Sequence, residues 1–210
     1  MTNHEQDHAE TRPGTGREAQ EQHEAGRRMR PRIYVASLSD YNTGSLHGAW
    51  FDADQAVEAI EDGIAAMLSE SPEPGAEEWA IHDYDDFGGI AISEHEDLRL
   101  VSRLASGLAA HGEAFASWAR LVSCGPEELG RFEDVYLGNW ENLAAYAEEL
   151  LDSLGVSTEF ERLVEEHLGS HLAPYLRWDF EALGRDLDYG GDIRVHERDN
   201  GSLDIFEGGA

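Results

Sequence analysis

Four consecutive residues, Glu94-His95-Glu96-Asp97, bring together side chains able to hold a metal ion. They directly precede an apolar stripe of helical spacing, and carboxylates at a helix start favour the positive end of its dipole. The same four residues are therefore read as a helix start. Asp83, Asp85 and Asp86 suggest a Ca²⁺ loop, but the Asp-x-Asp-x-Asp-Gly spacing and the closing Glu are missing. His47 and His82 fall in strand-like runs, where a hydrogen-bonded structural role is expected. The single Cys124 can form no internal disulfide and lacks the companions of a Cys-based metal site, so it is read as a small apolar residue beside a turn. No Gly-x-x-x-x-Gly-Lys loop, Gly-x-Ser-x-Gly elbow or His-Glu-x-x-His pair occurs. The expectation is a protein that is no enzyme, with no catalytic residue, cofactor or metal.

What the chain does carry is carboxylate. It has 44 Asp and Glu against 15 Arg, no Lys, and a formal charge of −29 over 210 residues. Residues 33–210 hold 38 of the acids and nine of the arginines, while the first 32 residues balance six against six. A folded body this anionic repels itself at neutral pH, which points to a strongly positive partner as the compensation. The candidate surface acids follow the elements in order: Asp54, Glu58, Glu61, Asp62, Glu70, Glu73, Glu77, Glu78, Asp83, Asp85 and Asp86 come first. Glu94, Glu96, Asp97, Glu113, Glu127 and Glu128 follow, and then Glu148, Glu149, Asp152, Glu159, Glu161, Glu165 and Glu166. Pairs such as Glu58 and Asp62, Glu148 and Asp152, or Glu161 and Glu165 are four residues apart, about 5–6 Å between Cβ atoms on a helix. Double-stranded DNA carries one charge per roughly 1.7 Å, so a surplus of 29 matches roughly 50 Å of duplex and two copies roughly 100 Å. The composition permits a DNA mimic. It equally suits an acidic, halophile-adapted soluble protein of another function, a metal-dependent one included. Either way the field disfavours nucleic acid and anionic membranes as partners.

The elements that must position these groups are legible in part. Residues 1–31 offer almost nothing to bury and are expected to be a disordered extension, with order beginning at Ile33. Residues 33–38 and 46–51 read as strands across a turn at 40–44, and residues 77–84 alternate, with Trp79 and Ile81 on one face, as a third. Between them Asp52, with Gln55 three residues on, is expected to cap a helix that buries Ala56, Val57, Ile60, Ile64 and Met67. Ser93-x-x-Glu96 is expected to cap a helix with Leu98, Val101, Leu104, Ala105 and Leu108 inward. Gly112 then separates it from a shorter helix bearing Phe115, Trp118, Ala119 and Val122. Residues 132–140 look extended. A helix with Leu143, Ala147, Leu150, Leu151 and Leu154 closes at Gly155, and Thr158-x-x-Glu161 is expected to cap the next, with Phe160, Leu163, Val164 and Leu168 inward. Residues 178–187 look helical, and Asn200-Gly201 signals a type I′ hairpin between two last strands. Trp50, Trp79, Trp118 and Trp178 are expected in the core. The class is α+β: β-rich start, helical middle, mixed end. No apolar run approaches the roughly 20 residues of a membrane span and the start lacks a secretory signal, so a soluble cytoplasmic protein is expected.

Arg32-Ile-Tyr-Val-Ala-Ser-Leu-Ser-Asp-Tyr-Asn42, Leu46-His-Gly48 with Trp50, and Glu78-Trp-Ala-Ile-His-Asp-Tyr84 resemble the antirestriction protein family called ArdA. Phe132-Glu-Asp-Val-Tyr-Leu-Gly-Asn-Trp-Glu-Asn142 resembles that family's antirestriction motif, and 178–187 its C-terminal segment. The resemblance implies a DNA mimic of mobile genetic elements, whose carboxylates imitate B-DNA phosphates. It would occupy the DNA-binding cleft of a type I restriction–modification enzyme, formed by specificity and modification subunits. It also implies an elongated homodimer of protomers with three small domains in series, here 32–92, 93–130 and a dimerising 131–210. Phe132, Glu133, Asp134, Val135, Tyr136, Gly138 and Trp140 would then lie at or near the dimer interface. Arg194 and Arg198 of the last hairpin depart from the pattern and interrupt the negative field there.

Overall fold

The computed structural model of the protein describes residues 28–209. The disorder expected of residues 1–27 lies outside the described residues. Packing begins slightly ahead of Ile33, since Met29 lies against the core and buried Pro31 accepts a hydrogen bond from the Ala53 amide at 2.9 Å.

Strand β1 (Arg32–Ser37) runs between β2 (Gly48–Asp52) and β3 (Trp79–Asp85) in an antiparallel sheet ordered β2-β1-β3. Alternation sorts the side chains. Ile33 opposite Phe51 and Val35 opposite Ile81 turn to the core, whereas Tyr34 opposite Trp50 turns away. Trp50 is consequently exposed, contrary to its expected core role, and the Arg32 guanidinium sits 5.0 Å from its ring centroid. Between the first two strands the expected turn is a short helix, α1 (Leu38–Asn42).

Helix α2 (Val57–Ser69) starts later than Asp52 and Gln55 suggested. Asp52 remains the last rung of β2, opposite Arg32, and the Gln55 amide donates to the Asp52 carbonyl at 2.7 Å. Ala56 therefore takes the cap position and is exposed, while Ile60, Ile64 and Met67 are buried as expected. The long helix α3 (Leu98–Leu121) is capped by Asp97, whose Oδ1 accepts from the Arg99 amide at 2.8 Å. Ser93 and Glu96 form only the preceding turn. Gly112 breaks α3 at φ 59°, ψ −136°, and a Cβ there would meet nothing within 4 Å. Backbone conformation, not space, requires glycine at the break. Gly107 answers a different need, because a Cβ there would lie 2.2 Å from Cζ of Phe115.

After α4 (Pro126–Leu129), residues 132–140 are not extended throughout. A helical turn, α5 (Phe132–Val135), precedes β4 (Tyr136–Trp140), because the Arg131 carbonyl accepts from the Asp134 and Val135 amides. Helix α6 (Leu143–Ser153) closes at left-handed Gly155 as expected, and α7 (Val156–Leu168) leaves that same glycine directly. Thr158 and Glu161 thus lie inside α7 and cap nothing. A 3₁₀ turn (Ala173–Tyr175) follows, and then α8 (Phe180–Gly190) with Asp179 as cap. Trp178, expected in the core, is exposed beside Phe160, with ring centroids 4.9 Å apart. Strands β5 (Ile193–Glu197) and β6 (Leu203–Glu207) complete a second antiparallel sheet, ordered β4-β6-β5. Their loop is wider than a two-residue type I′ turn: the Arg198 amide donates to the Ser202 carbonyl and the Gly201 amide to the Arg198 carbonyl.

One apolar cluster gathers around α3, from Ile33 through Ile64, Leu104 and Trp118 to Phe132 and Phe206. A smaller one joins Tyr146, Ile193 and Ile205 beneath α6. The class is α+β. No helix among the described residues is long and apolar enough to cross a membrane.

Candidate functional surface

Of the 24 acids singled out from the sequence, 21 are exposed, and Glu73, Asp86 and Glu96 are half-buried. Glu58, Glu61 and Asp62 ride on the outer side of α2, Glu148, Glu149 and Asp152 on α6, and Glu159, Glu161, Glu165 and Glu166 on α7. Glu73 accepts from the Thr43 hydroxyl at 3.2 Å, and Asp86 takes the Arg30 amide at 2.6 Å. Ion pairs among the described residues reach four of the 24. Arg32 meets Asp85 at 2.7 Å, Arg162 meets Glu159 at 2.7 Å and Glu166 at 2.9 Å, and Arg198 meets Glu113 at 3.6 Å. The Arg162 hydrogen bond holds the Glu159 carboxyl below its ordinary range. Solvent screening leaves such exposed pairs weak. Other arginines are directed at backbone: Arg103 donates to the Pro126 carbonyl, Arg120 to that of Gly88 and Arg194 to that of Leu121. Few cations are thus placed to neutralise the acidic faces.

The residues considered for chemistry are placed otherwise. A ring nitrogen of His47 lies 2.7 Å from the Met67 carbonyl, and His82 packs edge-on to Tyr41 at 4.8 Å. His95, Glu96 and Asp97 line a shallow depression of about 370 Å³ with Trp79 and Arg99. Among the described residues no group of three His, Cys, Asp or Glu is arranged to hold a metal ion. Cys124 is half-buried, and burial followed by the nearby Glu96 charge pushes its thiol up.

Residues 132–140 have two faces. Phe132 and Val135 are 5% and 3% exposed and belong to the chain's own core. The Phe132 ring lies 4.7 Å from His111, 5.0 Å from Tyr136 and 5.5 Å from Phe115, centroid to centroid. Glu133, Asp134, Leu137 and Asn139 face solvent, with Glu133 3.4 Å from His111. Pairing with β6 slips between Tyr136 and Gly138, which takes φ 116°, so Leu137 is left out of the ladder. Trp140 is half-buried over Tyr146, and its indole N–H donates to the Leu137 carbonyl at 3.2 Å.

Beneath this segment lies a group that the sequence reading missed. Asp204, in the middle of β6, is fully buried. It accepts from Ser117 Oγ (2.6 Å), Tyr136 Oη (3.1 Å), Asn139 Nδ2 (3.0 Å) and twice from the Arg198 guanidinium (2.6 and 2.7 Å). Burial alone would raise its carboxyl, but the bonds from Arg198, Ser117 and Asn139 outweigh that and hold it below the usual range. Burial and the Asp204 charge push the Tyr136 phenol up to about 12. Arg198 is therefore no stray cation on the surface. It is the counter-charge of a buried carboxylate that ties α3, β4 and the last hairpin together. A signal was present in Leu203-Asp-Ile-Phe206, a carboxylate inside an apolar strand with an arginine across the hairpin.

No curated protein matches the chain. A family model described as antirestriction protein (ArdA) matches residues 33–200, and this chain, with its exposed acids and its clamped 132–140 segment, belongs to the ArdA antirestriction family.

Proposed function

We propose that the chain acts as a decoy for DNA, competing for the basic cleft of a type I restriction–modification enzyme. The observation that carries this is the exposure of 21 of the 24 acids while ion pairs among the described residues reach only four of them. A restriction enzyme holds DNA largely through Lys and Arg contacts to phosphates. Carboxylates fixed at comparable spacing engage the same cations and present no bases to read. The inhibition therefore involves no chemistry and ignores recognition sequence. The specificity and modification subunits, which form the DNA channel, are the partners in this reading. The protomer is proposed to be elongated, with segments 32–92, 93–130 and 131–210 in series, and two copies pair to lengthen the decoy.

Purified protein in a type I cleavage assay tests the idea. Inhibition of two enzymes with different recognition sequences is expected, with affinity falling about 10³-fold or more between 50 and 200 mM salt, as for a ligand replacing six or more phosphate contacts. Affinity that ignores salt, or inhibition that follows the recognition sequence, would defeat the proposal.

A further inference from the structure

The face of the first sheet that turns from the core carries aromatic rings and carboxylates side by side. Residues directly opposite on antiparallel strands share a face. Tyr34 stands opposite Trp50 on one side and Asp83 on the other, and Arg32 stands opposite Asp52 and Asp85. The Tyr34 ring lies 5.5 Å from the Trp50 ring and crosses Gly48, where a Cβ would fall 2.9 Å from its Cζ. Tyr41, on α1, borders the same sheet with its ring against His82 of β3. Trp50 is 43% and Tyr41 57% exposed, and Asp52, Asp83 and Asp85 are exposed with them. Competition through charge alone makes no use of these rings.

A π face with a carboxylate next to it suits a guanidinium, because the planar cation stacks on the ring while its N–H groups donate at the edge. The chain shows this arrangement within itself. Arg32 lies 5.0 Å from the Trp50 ring centroid and donates to Asp85 at 2.7 Å. We propose that this sheet face binds arginine side chains of the partner enzyme, and that Arg32 holds, in the free chain, a place that one of them takes in the complex. The inference rests on the decoy reading and adds to it a stacked contact that carboxylates alone do not provide. Charge selects the occupant. Asp52, Asp83 and Asp85 repel phosphates, which disfavours a nucleic-acid strand stacking its bases on these rings. A second copy brings the same surplus of 29 negative charges.

Inhibition of a type I enzyme by the full chain, read at low and at high salt, tests the site. The double variant Trp50→Val/Tyr41→Leu removes both exposed π faces and keeps apolar bulk. It should weaken inhibition about tenfold at either salt, since a stacked contact is screened far less than separated charges. Glu58→Gln/Asp62→Asn should matter mainly at low salt. Arg32→Gln uncovers the Trp50 ring and should tighten inhibition about threefold beyond Arg185→Gln, which takes an equal charge from the exposed Glu181 pair. In a Trp50→Val background that gain should vanish, an outcome that a merely structural role for the ring does not produce. Arg32→Gln leaves every ring in place, so its result stands even if the ring variants fold poorly. Undiminished inhibition by the ring variant, a loss confined to low salt, or no extra gain from Arg32→Gln would each overturn the site. Binding of a single-stranded dT oligonucleotide that Trp50→Val abolishes would assign the rings to bases and overturn it as well. Wild type that fails to inhibit removes decoy and site together, whereas inhibition that is indifferent to the rings removes the site alone.

Discussion

Replacing Asp204 with Ala should be among the most damaging single changes outside the large apolar core. The carboxylate is fully buried and receives five hydrogen bonds from four side chains. Its removal leaves Arg198 without its main counter-charge and takes an acceptor from Ser117, Tyr136 and Asn139, of which Asn139 keeps the Ser202 hydroxyl at 3.0 Å. Breaking a buried ion pair from one side costs about 3–5 kcal/mol. The Arg198 side chain is 20% exposed and has Glu113 at 3.6 Å, so it recovers part of its solvation and the lower end, about 3 kcal/mol, applies. At about 2–4 °C per kcal/mol for a domain of this size, the midpoint should fall by about 6–12 °C. Asp204→Asn keeps the shape but loses the charge, and should cost about 2 kcal/mol. Arg198→Met should cost nearly as much as Asp204→Ala, and the double variant scarcely more than either, because the second change removes a group already stranded by the first. The pH sign follows from the depressed carboxyl: its contribution is present above the unfolded value near 3.9 and is lost as pH falls through the folded one. The gap between wild type and Asp204→Asn should be constant from pH 8 to pH 5 and close below about pH 4. Urea titrations followed by circular dichroism measure all of this. If Asp204→Ala lay within about 1 kcal/mol of wild type at pH 7, or if the two single effects simply added, the clamp would not be a coupled unit.

The same cluster makes a spectroscopic prediction. With its phenol pushed up to about 12, Tyr136 contributes stability that is complete below the unfolded pKa near 10 and lost as pH rises through 12, so a late phenolate absorbance step should vanish in Tyr136→Phe. At the break in α3, Gly112→Ala has room for its methyl but not for φ 59°, ψ −136°, and should cost about 2 kcal/mol in urea. An unchanged midpoint would mean that α3 straightens at no cost.

Alternation made the third strand legible: Trp79 and Ile81 could be placed on one face from sequence, and both pack on the core, while Gly155 and Gly112 marked helix boundaries correctly. Helix starts were harder because several residues could serve as caps and tertiary pairing chose among them. Asp52 stayed in the ladder opposite Arg32, Asp97 displaced Ser93, and α7 left Gly155 before Thr158 could act. Buried charge was hidden for a related reason, since Arg198 and Asp204 each look like surface residues until the hairpin brings them together. The exposed acids were readable as a class because a carboxylate without a cation has nowhere to go but water. The spacing of Phe160, Leu163, Val164 and Leu168 calls for a buried helical face, yet within one chain only Val164 is fully covered. The periodicity of α7 was therefore legible in the sequence, while the extent to which the rest of the chain covers that stripe was not, because it is set by tertiary packing and not by spacing.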